Sequence, residues 1–128
     1  MRIMRRERDV KAEVKKIFDR HKWFWFCPPA NAYGKSGISD FLAIRDGIFM
    51  AVETKFDDQP TALQQGFLSS IAAETGFAFV VDEKRLVAFD QWMGLFDQAV
   101  GFAKDNMTPP VEIGGPLLDV QKILMQGY

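Results

Sequence analysis

Apolar positions along this chain change period several times, and each change marks an element. Val10, Val14, Ile17 and Phe18 fall at helical spacing and predict an amphipathic helix over residues 7–21. Trp23-Phe24-Trp25-Phe26 is an aromatic run of high strand propensity, closed by Pro28-Pro29. A loop rich in Pro, Ala, Asn and Gly then runs to Gly37. Two apolar runs, 41–45 and 48–52, flank Asp46-Gly47, which signals a two-residue hairpin turn. Thr61 with Gln64 three residues later forms a capping box and opens a second helix. Its inward stripe is Leu63, Phe67, Ile71 and either Leu68 or Ala72, and Gly76 is placed to end it in the left-handed conformation. Phe77-Ala78-Phe79-Val80-Val81 is nearly continuous in apolar character, as in a strand buried on both faces. Residues 86–89 read as one more short strand. Asp90 then reads as the N-cap of a third helix to about residue 104, with Trp92, Leu95, Phe96, Ala99 and Val100 inward. Beyond it Pro and Gly pairs punctuate the chain, and residues 117–125 read as a short terminal helix.

This order predicts an α/β domain with a mixed sheet flanked by helices. The connection from Lys55 to Phe77 is long enough for a crossover between parallel strands. The expected division is a domain over residues 1–104 and an extension over 105–128 that packs on the core or on a second subunit.

The hairpin turn fixes more than topology. With Arg45 opposite Ile48, the same register puts Leu42 opposite Ala51 and Asp40 opposite Glu53. Lys55, two residues on, projects from the same face as Glu53. Opposed residues have Cβ atoms roughly 5 Å apart, and like charges there destabilise a sheet. A carboxylate pair at a strand end therefore calls for a cation. Two carboxylates around a divalent metal, with an ammonium beside them, outline a hydrolytic site.

Composition and charge narrow the setting. The chain has 128 residues, 48% of them hydrophobic, enough for one domain with a real core and no membrane-spanning run. A single cysteine, Cys27, excludes an internal disulfide and a Cys-rich zinc site, and a reducing cytoplasm is the expected compartment. Net charge is only −1, yet residues 1–35 hold ten Lys/Arg against four acids. A basic N-terminal lobe on an otherwise acidic protein suits a polyanion, and Arg5, Arg6 and Lys15 are its candidate contacts. A solvated helix face with pairs such as Glu7–Lys11 is the plainer reading of the same charges.

Gly37-Ile38-Ser39-Asp40, about a dozen residues, then Ala51-Val52-Glu53-Thr54-Lys55 resembles the signature of the PD-(D/E)XK nuclease superfamily. More narrowly it is similar to the VRR-NUC branch of stand-alone phage and bacterial nucleases. That branch continues with a Ser/Thr-x-x-Gln helix start and a strand ending in valines, here Thr61-Ala62-Leu63-Gln64 and Phe79-Val80-Val81. It also places a glutamate at the head of its first helix, matched by Glu7 before Val10, Val14 and Phe18, with Glu13 as the second candidate. Ser39 stands where the family often has Pro, and Asp82-Glu83 follows the last core strand where the family has an arginine.

The resemblance implies a restriction-endonuclease-like αβββαβ core and Mg²⁺- or Mn²⁺-dependent hydrolysis of DNA, branched forms such as junctions or flaps included. Asp40, Glu53 and the carbonyl of Thr54 are the expected metal ligands. Lys55 is expected to position water or stabilise charge at the phosphate, Glu7 to complete the metal shell, and Gln64 to reach in from the second helix. Tyr33, Lys35 and Ser36, just before the site, are candidate backbone contacts. A homodimer is expected, without membrane or organic cofactor. The competing reading is a catalytically silent nucleic-acid-binding or assembly module of the same fold.

Overall fold

The computed structural model describes residues 3–29 and 37–106, with side chains to residue 100. Tyr33, Lys35, Ser36 and the expected terminal helix over 117–125 lie outside the described residues. Three helices and four strands succeed one another in the order α1 (Glu7–Arg20), β1 (Phe24–Phe26), β2 (Phe41–Arg45), β3 (Ile48–Thr54), α2 (Ala62–Ala73), β4 (Phe77–Val81) and α3 (Leu86–Asn106). The chain divides into two compact units, Met1–Gln98 and Ala99–Tyr128. The whole sheet, α1, α2 and the first part of α3 belong to the first unit.

The four strands form one mixed sheet in the order β1-β2-β3-β4. β1 and β2 are antiparallel, as are β2 and β3, while β4 runs parallel to β3 after the α2 crossover. The hairpin register is the expected one: Arg45 pairs with Ile48 and Leu42 with Ala51. Asp46 and Gly47 both have positive φ, 51° and 80°, as a type I′ turn requires.

Alternation along the strands separates two faces. Trp25, Phe41, Ala43, Met50, Val52, Phe77 and Phe79 lie on one, where α1 and α3 cover them. Val10, Val14, Ile17 and Phe18 of α1 are all buried here, as their spacing predicts. Phe18 sits at the centre, with its ring 5.7 Å from Phe41 and 6.1 Å from Phe89. Burying a side chain of this kind contributes about 1.5–3 kcal/mol. On the opposite face α2 packs over β3 and β4. Phe24, Phe26, Ile44 and Phe49, further across that face, remain exposed.

The structure departs from expectation at several helix boundaries. Residues 86–89 are not a strand; α3 already begins at Leu86. Asp82 drives this, because its carboxylate accepts from the Lys84 and Arg85 amides and sets the turn that enters the helix. Leu86, Phe89 and Met93 then form its buried stripe, whereas Leu95 faces out. Asp90 therefore lies inside the helix rather than at its cap. In α2, Leu68 is the buried residue and Leu63 is exposed. The end of α2 is a Schellman motif, with Gly76 N–H donating to Ile71 and Thr75 N–H to Ala72. Thr75, not Gly76, takes the left-handed conformation, at φ 62°. Gly76 is there for space, since a Cβ would stand 2.7 Å from Ile71 Cγ2. Cys27, the single cysteine, is exposed.

His21 caps α1 and joins it to α3. Its Nδ1 lies 2.5 Å from Asp97 and its Nε2 2.8 Å from Asp90, while Arg45 bonds both Asp97 and the His21 carbonyl. The bond from His21, with the Arg20 charge behind it, holds Asp90 below the usual carboxylate range. Burial pushes Asp97 upward, but its bonds to His21 and Arg45 outweigh this and hold it low as well.

Gly37 ties α2 to the hairpin. Its φ is +74°, and a Cβ there would stand 2.5 Å from the Leu63 carbonyl carbon and 2.8 Å from the Gln64 nitrogen. Gly37→Ala is therefore expected to lower stability by about 2 kcal/mol or more, through left-handed strain and backbone overlap together. Urea denaturation measures it; a variant with the wild-type midpoint would show that the loop relaxes freely.

Candidate active site

Asp40 and Glu53 meet where the hairpin register puts them, one pair beyond Phe41 and Val52. Their surroundings differ, and this sets their chemistry. The Asp40 carboxylate accepts from the Thr54 amide at 2.9 Å and the Thr54 hydroxyl at 2.6 Å. Burial pushes Asp40 upward, but these bonds and the nearby Lys11 charge outweigh it and hold its pKa below the usual value. Glu53 is 1% exposed. Burial first, and the Asp40 charge second, push its pKa up to about 8, against the partial relief offered by Lys55. One carboxyl of the pair is thus ionised near neutrality and the other retains a proton.

Glu53 meets a hydrogen-bond donor on one oxygen only, and the proton it retains is held toward Asp40. Its Oε1 accepts from Gln64 Nε2 at 3.1 Å and lies 3.8 Å from Lys55 Nζ. Its Oε2 is buried with no hydrogen-bond partner. A buried acid oxygen without a donor costs about 1–3 kcal/mol once the group is ionised, and the proton shared toward Asp40 offsets this while it is retained. Glu7, Asp40 and Glu53 each offer one oxygen, and the three lie within 4.8 Å of one another. This donor set is all carboxylate, which suits a hard divalent cation, and the free Oε2 is consistent with one.

Several sequence-derived residues converge here. Lys55 is buried beside Glu53, as its two-residue offset implies. Gln64 fills both roles that the sequence left open: its Oε1 caps the Thr61 amide while its Nε2 reaches Glu53. Glu7, at the head of α1, joins the cluster, whereas Glu13 pairs with Lys16 at 3.2 Å. Thr54 contributes through its hydroxyl and amide to Asp40. Arg5 and Arg6 are exposed at the start of α1, and Lys15 lies one turn beyond Lys11 with its ammonium 5.8 Å from the Trp25 ring.

Lys11 is the site residue that the sequence pattern did not single out, since it reads there only as a partner for Glu7 on the helix. Its Nζ lies 3.6 Å from Glu7 and 3.5 Å from Asp40. Burial opposes its charge, yet Asp40 and Glu7 outweigh this and raise its pKa above the ordinary lysine value. The i,i+4 spacing is visible in the chain; the crossing of α1 over the end of β2 is not. Lys11 and Lys15 line a cleft of about 380 Å³ with Pro28, Gly37, Asp40 and Gln64. Asp82 and Glu83, where the nuclease family has an arginine, hold local structure: Asp82 starts α3, and Glu83 accepts from the Asp57 amide.

No protein-family model matches this chain, and no curated protein matches it. The resemblance to the nuclease superfamily therefore rests on the sequence motifs alone.

The pKa of Glu53 makes stability depend on pH in a defined sense. The unfolded chain loses this proton near the ordinary value of 4.5, while the folded chain keeps it to about 8. Between these values the folded state holds the extra proton, so raising the pH favours unfolding. With chelator present, Glu53→Gln is expected to lack this decline and to exceed wild type at pH 8 by about 1–4 kcal/mol. Urea titrations at pH 5 and pH 8 test this; two parallel curves would mean that Glu53 is ionised in the fold without penalty.

Proposed function

We propose that this protein is a divalent-metal-dependent DNA endonuclease with a restriction-endonuclease-like core, related to the VRR-NUC branch of the PD-(D/E)XK superfamily. The observation that carries the reading is the buried, half-bound Glu53 carboxyl facing Asp40 and Glu7, with Lys55 beside it. The element order, αβββαβ before α3, is compatible with that core. Among the described residues no helix is long and apolar enough to cross a membrane; a cytoplasmic location belongs to the proposal.

Phosphodiester hydrolysis needs an activated water, neutralised charge at the phosphate and help for the leaving oxygen. Asp40, Glu53 and Glu7 would hold Mg²⁺ or Mn²⁺, with the Thr54 carbonyl as a further ligand. A cation held there supplies Lewis acidity and lowers the pKa of a water. Thr54 fixes the orientation of Asp40, and Gln64 fixes that of Glu53, so neither carboxylate has to reorganise. Lys55 places positive charge beside the reacting phosphate. The basic surface of α1, Arg5 and Arg6 included, supplies the approach for a polyanion, and Tyr33, Lys35 and Ser36 remain candidate contacts. The proposed contacts are cationic and meet the backbone, which favours recognition of shape over base readout, branched DNA included.

Chemistry and binding should separate. Asp40→Asn and Glu53→Gln are expected to weaken Mn²⁺ binding and abolish cleavage. Lys55→Ala is expected to bind Mn²⁺ normally and lose activity by ~10²-fold or more. Calorimetric Mn²⁺ titration beside a plasmid- and junction-cleavage assay decides it: wild-type metal binding in the carboxylate variants, or normal cutting by Lys55→Ala, would remove the assignment.

DNA affinity should fall steeply with salt through counterion release. Reversing the charges of Arg5, Arg6 and Lys15 together should flatten that slope. A salt-independent affinity, or no effect of the reversal, would take α1 out of the interface.

A homodimer is also proposed, because Phe24, Phe26, Ile44 and Phe49 leave one part of the sheet apolar and exposed. Light scattering should give twice the chain mass; a monomer at working concentration refutes it.

A further inference from the structure

Lys11 occupies an unusual place for a helix-surface lysine. It stands between Glu7 and Asp40, two of the three carboxylates of the cluster, at 3.6 Å and 3.5 Å. Neither contact is a tight hydrogen bond, and the side chain is 39% exposed. The ammonium is thus a loosely held counter-ion and not a locked structural pair. Its stem springs from α1 at the wall of the cleft, where Lys15 lies one turn further along the same helix. Lys11, Lys15 and Asp40 all line this cleft, so the Lys11 ammonium can leave Asp40 for a ligand there without crossing the protein.

Accepting the nuclease reading, we propose that Lys11 is a positioning residue with two stations: a competitor of the metal while the site is empty of substrate, and a phosphate contact once a cation has taken the carboxylates. Electrostatics supplies the coupling. A divalent ion and an ammonium cannot share Glu7 and Asp40 without repulsion, so a bound ion expels Lys11. The released charge adds to Lys15 on the cleft wall, where a phosphodiester backbone would meet both. Metal and nucleic acid then favour one another's binding beyond what neutralising the carboxylates alone provides, and linkage requires the effect to be reciprocal. Lys55, buried against Glu53 on the inner side, takes no part in this exchange.

The test uses three proteins, wild type, Lys11→Met and Lys11→Arg, with two readouts that do not involve turnover. Calorimetric titration with Mn²⁺ alone should show Lys11→Met binding about tenfold tighter than wild type, the scale of losing one partly screened like charge at 4 Å. Lys11→Arg should stay near wild type, which separates charge from space. Binding of a short duplex oligonucleotide in the presence of Ca²⁺ should be weaker in Lys11→Met, and its gain from metal should be smaller than in wild type. Unchanged Mn²⁺ affinity in Lys11→Met overturns the competitor station. Unchanged oligonucleotide affinity overturns the phosphate station. If Glu53→Gln, run alongside, also leaves Mn²⁺ binding intact, the metal reading itself has failed. If Glu53→Gln loses the metal while Lys11→Met matches wild type, only the role of Lys11 is rejected.

Discussion

Two acidic side chains face each other across the end of a hairpin, and much of the architecture answers the cost of placing them there. Left alone, a pair of carboxylates at this distance would push the strands apart. The fold divides the problem. Asp40 receives the donors, two from Thr54 on the neighbouring strand and a charge from Lys11 on α1. Glu53 receives the burial, and with it a retained proton. The result is a pair of chemically similar groups in different states, held by three separate elements: the hairpin, α1 and α2.

The layers around the sheet reflect this division. One face is filled by the aromatic core beneath α1 and α3, with the Phe18 ring against both Phe41 and Phe89. That rigid face lets α1 carry Glu7 and Lys11 to a defined position over the end of β2. The other face is thinner. α2 crosses it with its first turn pressed on Gly37, so the Gln64 amide arrives beside Glu53 instead of facing water.

Local chemistry in the chain foretold the parts that local chemistry controls. Asp46-Gly47 accepts positive φ at both positions, so the turn, the register and the opposition of Asp40 and Glu53 are set by a dipeptide. The Thr61–Gln64 capping box is equally local. Misread positions depend on distant partners. Residues 86–89 have strand-like composition, but the Asp82 carboxylate starts a helix before them and the core selects Leu86, Phe89 and Met93. Leu63 fits a helical stripe, yet its backbone is the part that meets Gly37 and its side chain is exposed. Lys11 looks like half of an i,i+4 pair because the strand end it reaches is far along the sequence, beyond β1. His21 reads as a simple helix end, and its aspartate partners come from α3, at the other end of the domain.

The short first strand has a consequence for the shape of the whole site. β1 pairs with β2 from Phe24 opposite Ile44 to Phe26 opposite Leu42. Carried two residues further, the same pairing would lay Cys27 along Phe41 and residue 28 along Asp40, closing the sheet over the acidic pair. Position 28 is proline, and so is 29, and neither has an N–H to give to such a ladder. Pairing stops at Phe26, and the strip of sheet that would have come next is missing. The cleft bordered by Cys27, Pro28, Asp40 and Phe41 is that missing strip. An opening here is made by omission: the Pro28 ring denies the ladder its next hydrogen bond, and the space so left gives Asp40 its access to solvent.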